Sequence, residues 1–373
     1  TPGLNVSLTI DKDLQLLAEE MLNDKKGAIV ALNPVNGEIL AMASSPAFDP
    51  NLFISGIDKS EWQRMVSSKD FPLQNRAISG QYPPGSVFKI VVALAGLEEG
   101  IITPEEEIVC TSNFTLGNHT YGCWSWKKGG HGKVNFHKAL RESCDIYFYK
   151  MGMRLGVDKI AHYAKMCGLG EKTGFELGHE KEGLIPTRKW KLRRWGVPWQ
   201  PGETVSTSIG QSFVLVTPLQ MARLISIIFN GGKIFQPNIV RWVGNDNDEV
   251  YRFTPNLIGQ INVNPENLEL IKRALIAVVN EPHGTGYRAE VKGITVAGKT
   301  GTSQVVALET EKEKSINGKI PEEFRTHAWF VSISPTKKPN LALAVLIEHG
   351  GGGSTSAAPI AGELIKGYLG IEK

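Results

Sequence analysis

The sequence predicts an α+β fold: an antiparallel sheet flanked by helices, with a mainly helical subdomain inserted into it. Strand-like runs lie at both ends of the chain and helical patterns fill the middle. The last three strand-like runs follow one another with no helix between them. That favours an antiparallel meander over parallel strands joined by helical crossovers.

The elements follow in order. A strand-like run covers 5–10. Leu14, Leu17, Ala18 and Met21 then fall at i, i+3, i+4 and i+7 behind Asp11 as cap, so 12–22 reads as an amphipathic helix. Apolar runs at 28–32 and 38–43 flank Asn36-Gly37 and make a β-hairpin, expected to complete the same sheet as the late strands. Residues 46–75 read as loop with a short helix. The stretch 86–235 is mostly helical in pattern. It is broken by a Gly/Trp/Lys-rich segment at 113–133 and a Trp-rich, Pro-bearing segment at 186–202. Further helices are expected at 217–231 and 266–280. Strands return at 295–306, 328–333 and 341–347, followed by a Gly-rich run at 350–353 and a terminal helix around 356–369. The charged segment 309–319 is expected to be a long mobile loop. One domain over 1–373 results, with a sheet subdomain from about 1–75 and 285–373 and a helical subdomain of about 86–280.

Composition narrows the function class. The 373 residues are 41% hydrophobic, ample for a large core. With 41 basic and 38 acidic residues the net charge is +3, and no basic run with interleaved aromatics is expected, so nothing points to nucleic acid. No run of about 18 apolar residues offers a membrane span, and no signal peptide opens the chain. The abrupt start at Thr1-Pro-Gly-Leu reads as a boundary within a longer protein.

Three motifs carry chemistry. In Tyr82-Pro-Pro-Gly-Ser86-Val-Phe-Lys89, the stripe Val87, Ile90, Val91, Leu94 places Ser86 in the first turn of a buried helix, with Lys89 on the same face. The positive helix end favours charge developing on the Ser86 hydroxyl, and a neutral Lys89 could take its proton. Alone, Ser-x-x-Lys is more often a helix cap with a snorkelling lysine. Ser143-Cys144-Asp145 is too short to mean anything by itself. Ala297-Gly-Lys299-Thr300-Gly301-Thr302 puts a Lys-Thr-Gly on a strand, where Gly301 lets a substrate backbone approach. The Thr302 N–H can join that of Ser86 as an oxyanion hole. Lys299 and the hydroxyls of Thr300 and Thr302 can hold a carboxylate; a glycine-rich bulge is the ordinary alternative. Taken in order, the three motifs form the pattern of serine penicillin-recognising enzymes.

At this point the chain resembles the transpeptidase domain of class B penicillin-binding proteins, and within them the elongation-specific subgroup. Residues 8–11, 14–15, 27–34, 37–42, 75–78, 83–86, 209–212, 216–222 and 327–330 carry the likeness, which covers essentially the whole chain. It implies the transpeptidase fold shared with β-lactamases and a D-Ala-D-Ala stem peptide as acyl donor, with a stem-peptide amine as acceptor. It also implies acylation and inhibition by β-lactam antibiotics. Ser86 is then the acylated residue, Lys89 its base, Ser143 a proton relay, and 299–301 the strand lining the site. Asp145 stands where many relatives carry Asn. An ionised Asp only accepts hydrogen bonds, so it is expected to pair with Lys89. The resemblance further implies a place on the periplasmic face of the bacterial inner membrane, with an anchor and pedestal preceding this domain. The implied partners are a SEDS-type glycosyltransferase and the elongation-complex scaffold. No cofactor is needed for the chemistry.

Four residues suggest a structural metal. Cys110, Cys123, His131 and Cys144 lie between the first motif and the second, and no Asp or Glu occurs from Ile108 to Arg141. Three sulfurs and one nitrogen suit tetrahedral Zn²⁺. His119 and His137 rival His131. A Cys110–Cys123 disulfide is the alternative in an oxidising compartment. Some similar proteins bind zinc near this motif with a His-x12-Cys spacing like His131…Cys144, although carboxylates supply their other ligands. Cys167 is expected in the core. Three other readings stay open on this fold: a β-lactamase, a D,D-carboxypeptidase (or that reaction as a side activity) and a non-enzymatic penicillin sensor.

Overall fold

A computed structural model describes residues 3–54, 56–245, 248–305 and 320–371. The segment 309–319 lies outside them. The main sheet has five strands: β1 (Gly27–Leu32), β2 (Ile39–Ser45), β3 (Ala297–Ser303), β4 (His327–Ser334) and β5 (Leu341–Ile347). Their order is β3-β4-β5-β1-β2, antiparallel throughout. The expected meander and the hairpin that completes it are therefore both present. β1 and β5 are buried along their whole length, and their residues alternate between two cores. Ile29, Ala31, Leu343 and Val345 face α1 (Lys12–Met21) and the C-terminal helix (Ala358–Tyr368). Ala28, Val30, Ala344 and Leu346 face the helical body.

That body includes α2 (Lys89–Glu98), α3 (Asp145–Leu155), α4 (Arg188–Trp195), α5 (Pro218–Phe229) and α6 (Pro265–Asn280). α2 and α5 are apolar on nearly every side and run through its centre. Among the described residues, no helix is long and apolar enough to cross a membrane.

The structure departs from the sequence reading in three places. Asn5–Leu8 pairs with Val240–Asn245, in a separate three-stranded sheet completed by Asp248–Arg252. Inside 113–133, Asn113–Leu116 and His119–Gly122 form a small hairpin, and Ile108–Cys110 pairs with Gly132–Val134. Third, α4 occupies the 186–202 segment read as a break. The Thr187 side chain caps it by accepting from Trp190 N–H, and left-handed Gly196 ends it. No apolar stripe announces this helix, because its sequence is Arg-Lys-Trp-Lys-Leu-Arg-Arg-Trp. It is also a basic run with interleaved aromatics, which the sequence reading did not expect.

Candidate active site

Ser86 lies in a single 3₁₀ turn, Gly85–Phe88, which leads directly into α2 at Lys89. Val87 and Phe88 are fully buried and fix the turn from below. Gly85 has φ +54°, and a Cβ there would lie 2.5 Å from Thr302 O and 3.2 Å from Thr302 N. Gly301 is equally constrained: its Cβ would sit 2.7 Å from Pro84 O and 2.8 Å from Val87 Cγ2. The two glycines let the Ser86 turn lie against β3 at backbone distance.

The three sequence motifs meet here. Lys89 is completely buried, and its Nζ donates to Ser143 O at 2.9 Å, Ser143 Oγ at 3.2 Å and Asp145 Oδ1 at 2.6 Å. Lys299 is also buried, and its Nζ donates to Ser143 Oγ at 2.8 Å and Thr300 O at 3.1 Å. Two lysine amines thus converge on one hydroxyl. Ser143 has φ +54°, a left-handed conformation uncommon for a residue with a side chain and frequent at functional sites. Burial pushes Lys299 well below the usual lysine range, and the neighbouring Lys89 adds to this. Burial pushes the Asp145 carboxyl up, against the pull of Lys89. Thr300 Oγ1 is hydrogen-bonded to Thr285 Oγ1 at 2.8 Å, and Thr302 is exposed at the strand's end.

Other residues complete the site without a motif of their own. The Trp124 N–H donates to Asp145 Oδ2 at 3.0 Å, and its indole N–H reaches Glu142 O and Ser143 O. Gln211 Nε2 donates to Thr302 O at 3.3 Å. Behind the Ser86 turn, Arg76 Nε and the Tyr82 hydroxyl both bond Glu348 Oε1, at 2.8 and 2.6 Å. The Trp329 indole donates to Pro83 O at 3.0 Å. Trp124 lay in a stretch that the sequence marked as unusual, and Arg76, Tyr82, Gln211 and Trp329 in stretches that carry the motifs or the family likeness; the role of Glu348 had no local signal, because its partners are more than 260 residues away.

Cys110, Cys123, His131 and Cys144 also come together, each offering one donor atom within 4.8 Å of the others. His119 lies elsewhere, against Tyr121, and His137 bonds Glu281. All four cysteines are free, so the alternative Cys110–Cys123 disulfide is not formed. His131 Nδ1 is 3.5 Å from Cys110 Sγ and 3.4 Å from Cys123 Sγ. A tetrahedral ion with bonds of about 2.3 Å to sulfur and about 2.0 Å to nitrogen places those atoms about 3.5 Å apart. The donor set therefore fits such an ion. Hydrogen bonding from Cys144 holds the Cys110 and Cys123 thiols well below the ordinary thiol range, Cys110 at about 6. The same hydrogen bonds and burial push the Cys144 thiol up, so without an ion the third sulfur keeps its proton, which metal ligation would have to displace. Cys167 is buried in the core, where burial raises its thiol to about 12.

Known proteins resemble this chain along most of its length. It is 39% identical to the peptidoglycan D,D-transpeptidase MrdA of Haemophilus influenzae over 369 residues, which is 98% of this chain and 56% of the relative. The chain therefore spans little more than half the length of that relative. Among solved structures, Pseudomonas aeruginosa PBP2 in complex with WCK 5153 superposes with a TM-score of 0.87 at 34% identity, covering 100% of this chain and 80% of that one. Helicobacter pylori PBP2, in its complex with MreC, gives 0.82 at 34%, covering 97% and 64%. The ceftriaxone acyl-enzyme of Mycobacterium tuberculosis penicillin-binding protein A gives 0.84 at 27%, covering 99% and 81%. Residues 27–366 match the family described as the penicillin binding protein transpeptidase domain, and the chain belongs to that family.

Proposed function

We propose that this chain is the catalytic domain of a peptidoglycan D,D-transpeptidase, which joins stem peptides through an acyl-enzyme on Ser86. The observation that carries the reading is the convergence of Lys89 and Lys299 on Ser143 Oγ, beside a glycine-walled turn that presents Ser86. Ser86 Oγ attacks the carbonyl of the D-Ala-D-Ala bond and its proton passes to Lys89. The N–H groups of Ser86 and Thr302 stabilise the oxyanion. The C–N bond breaks, and the departing D-Ala amine takes a proton relayed by Ser143. An acceptor amine then attacks the ester, loses its proton to the same relay and restores the Ser86 hydroxyl.

Asp145 gives this relay its range. Buried charges are costly, and the shifts of Asp145 and Lys299 both favour their neutral forms. Lys89 can pass a proton to Asp145 Oδ1, 2.6 Å away, which frees its lone pair for the Ser86 proton and leaves no isolated buried charge, while Ser143 Oγ links Lys89 to Lys299. Substrate carboxylate falls to the open end of β3, at Thr300 and Thr302. A β-lactam enters as an acyl donor whose amide stays tethered after ring opening.

Cys110, Cys123, Cys144 and His131 would hold structural Zn²⁺. A four-residue ligand set leaves no open position, so the ion would supply rigidity rather than a reactive water. In the full-length protein the domain belongs on the periplasmic face of the inner membrane. There it works with a SEDS-type glycosyltransferase and an elongation scaffold of the MreC type, in wall elongation and shape maintenance.

Intact-mass spectrometry with benzylpenicillin tests the catalytic reading. One stable adduct on Ser86 is expected, absent in Ser86→Ala and in a folded Lys89→Ala variant. Normal acylation of Lys89→Ala sinks the base assignment. Rapid loss of the wild-type adduct would make the protein a β-lactamase, and failure to cross-link stem peptides within the assembled complex would leave a sensor.

A further inference from the structure

We infer that α4 is a binding surface for the polymeric substrate, an anionic glycan strand bearing stem peptides, beside the mouth of the site. The inference rests on the transpeptidase reading for its ligand and on three observations for its place.

The first is connection. Trp190, Trp195 and Trp199 gather round Phe213, with ring centroids 5.3, 4.9 and 6.1 Å from it. Phe213 is two residues from Gln211, whose amide bonds Thr302 O at the end of β3. Two residues span at most about 7 Å. Ser212 between them has φ +64°, a conformation that costs a side-chain-bearing residue and survives where its surroundings impose it. The turn anchors Gln211 on β3 and Phe213 in the aromatic cluster that carries α4.

The second is charge. α4 has five cations and no acid in eight residues. Lys191 is buried and pairs with Glu203, and Arg188 Nε lies 3.5 Å from Asp158 Oδ2. Lys189, Arg193 and Arg194 are exposed and have no ion-pair partner among the described residues. Helix stability explains only part of this. Cations in the last turn complement the helix dipole, but Lys189 in the first turn opposes it. The charge therefore fits an external anion better than it fits the helix itself.

The third is the accompanying apolar surface. Trp195 is 48% exposed although tied to Phe213, and Leu192 is 55% exposed. A rigid indole beside guanidinium groups suits a sugar, whose C–H face stacks on the ring while neighbouring carboxylates pair with arginine. An anionic membrane surface shares the charge preference. The direct link to Thr302 favours the substrate that must reach Ser86.

Binding of soluble, uncross-linked glycan strands to the 373-residue chain tests this by fluorescence anisotropy at low salt. The variant Lys189→Glu/Arg193→Glu/Arg194→Glu should bind roughly tenfold more weakly and lose most of the salt dependence, with a cooperative melt whose midpoint falls only slightly, because glutamates in the last turn oppose the helix dipole. Arg193→Lys/Arg194→Lys should stay near wild type, and amidation of the strand's carboxylates should mimic the reversal. Unchanged binding in the reversed variant overturns the proposal. So does wild-type preference for phosphatidylglycerol vesicles over the glycan, which would assign α4 to the membrane. Penicillin acylation of wild type is a separate arm: its failure removes the catalytic reading, whereas retained acylation without α4-dependent glycan binding removes only this one.

Discussion

One segment carries Ser86 and another borders Ser143, and they are held by different physics. The turn from Tyr82 to Phe88 rests on the core. Val87 and Phe88 are buried, Pro83 O receives the Trp329 indole, and Gly85 N–H bonds Gly210 O at 3.0 Å. The segment 108–134 has almost no core of its own. Its two ribbons have strands of three or four residues, and between Asn113 and Gly132 the residues buried are Cys123 and Ser125. Ribbons of that size are marginal without outside support. Their support here is the Cys/His cluster, the clamp of Trp124 on Asp145 and Ser143, and the contact of Phe114, Leu116 and Tyr121 with the helical body. The segment that carries Ser86 rests mainly on packing and the one beside Ser143 mainly on its staple, so they should fail in different ways.

The largest contrast should come from removing the staple. Chelation, or Cys123→Ala, should expose Lys127 and Lys128 to trypsin at least about tenfold faster and slow Ser86 acylation, with little change in global melting. Unchanged protection would mean that packing alone holds this segment. On the packed side, acid should act through His327, which burial lowers to about 4 and whose Nδ1 accepts the His349 N–H at 3.0 Å. The unfolded state binds this proton more readily, so stability is full above pH 6.5 and falls as pH drops towards 4, by up to roughly 3 kcal/mol. His327→Gln should flatten that slope in denaturant titrations; an unaltered slope assigns it to another group.

Gly301→Val should cost about 2 kcal/mol and slow acylation by pushing Pro84 off β3, without touching trypsin sensitivity at Lys127. An acylation rate like wild type would show that the turn tolerates displacement. The smallest effect is expected from Tyr82→Phe, about 1 kcal/mol, because Glu348 keeps its bond to Arg76. A melting curve identical to wild type would remove Tyr82 from the anchor.

Much of this was legible in the sequence wherever the physics is local. The 3.6-residue stripe after Ser86 and the apolar runs around Asn36-Gly37 depend only on neighbours in the chain. The helix α4 and the strands at 240–260 were not legible. α4 is stabilised by Thr187, Phe213 and Glu203 rather than by an apolar face, and Asn5–Leu8 finds its partner more than 230 residues away.

By itself, the sequence determined the α+β order, the family pattern of its three motifs and the cysteines of the cluster, with His131 still one of three candidate histidines. Each is a matter of residue type at a given spacing. Only the tertiary structure decided that Lys89 and Lys299 share Ser143, that Trp124 locks Asp145, and that Arg76 and Tyr82 meet Glu348 behind the turn. It also decided which face of α4 stays unpaired. Those outcomes depend on which distant groups are buried together, and burial sets both the cost of a charge and the partner that offsets it.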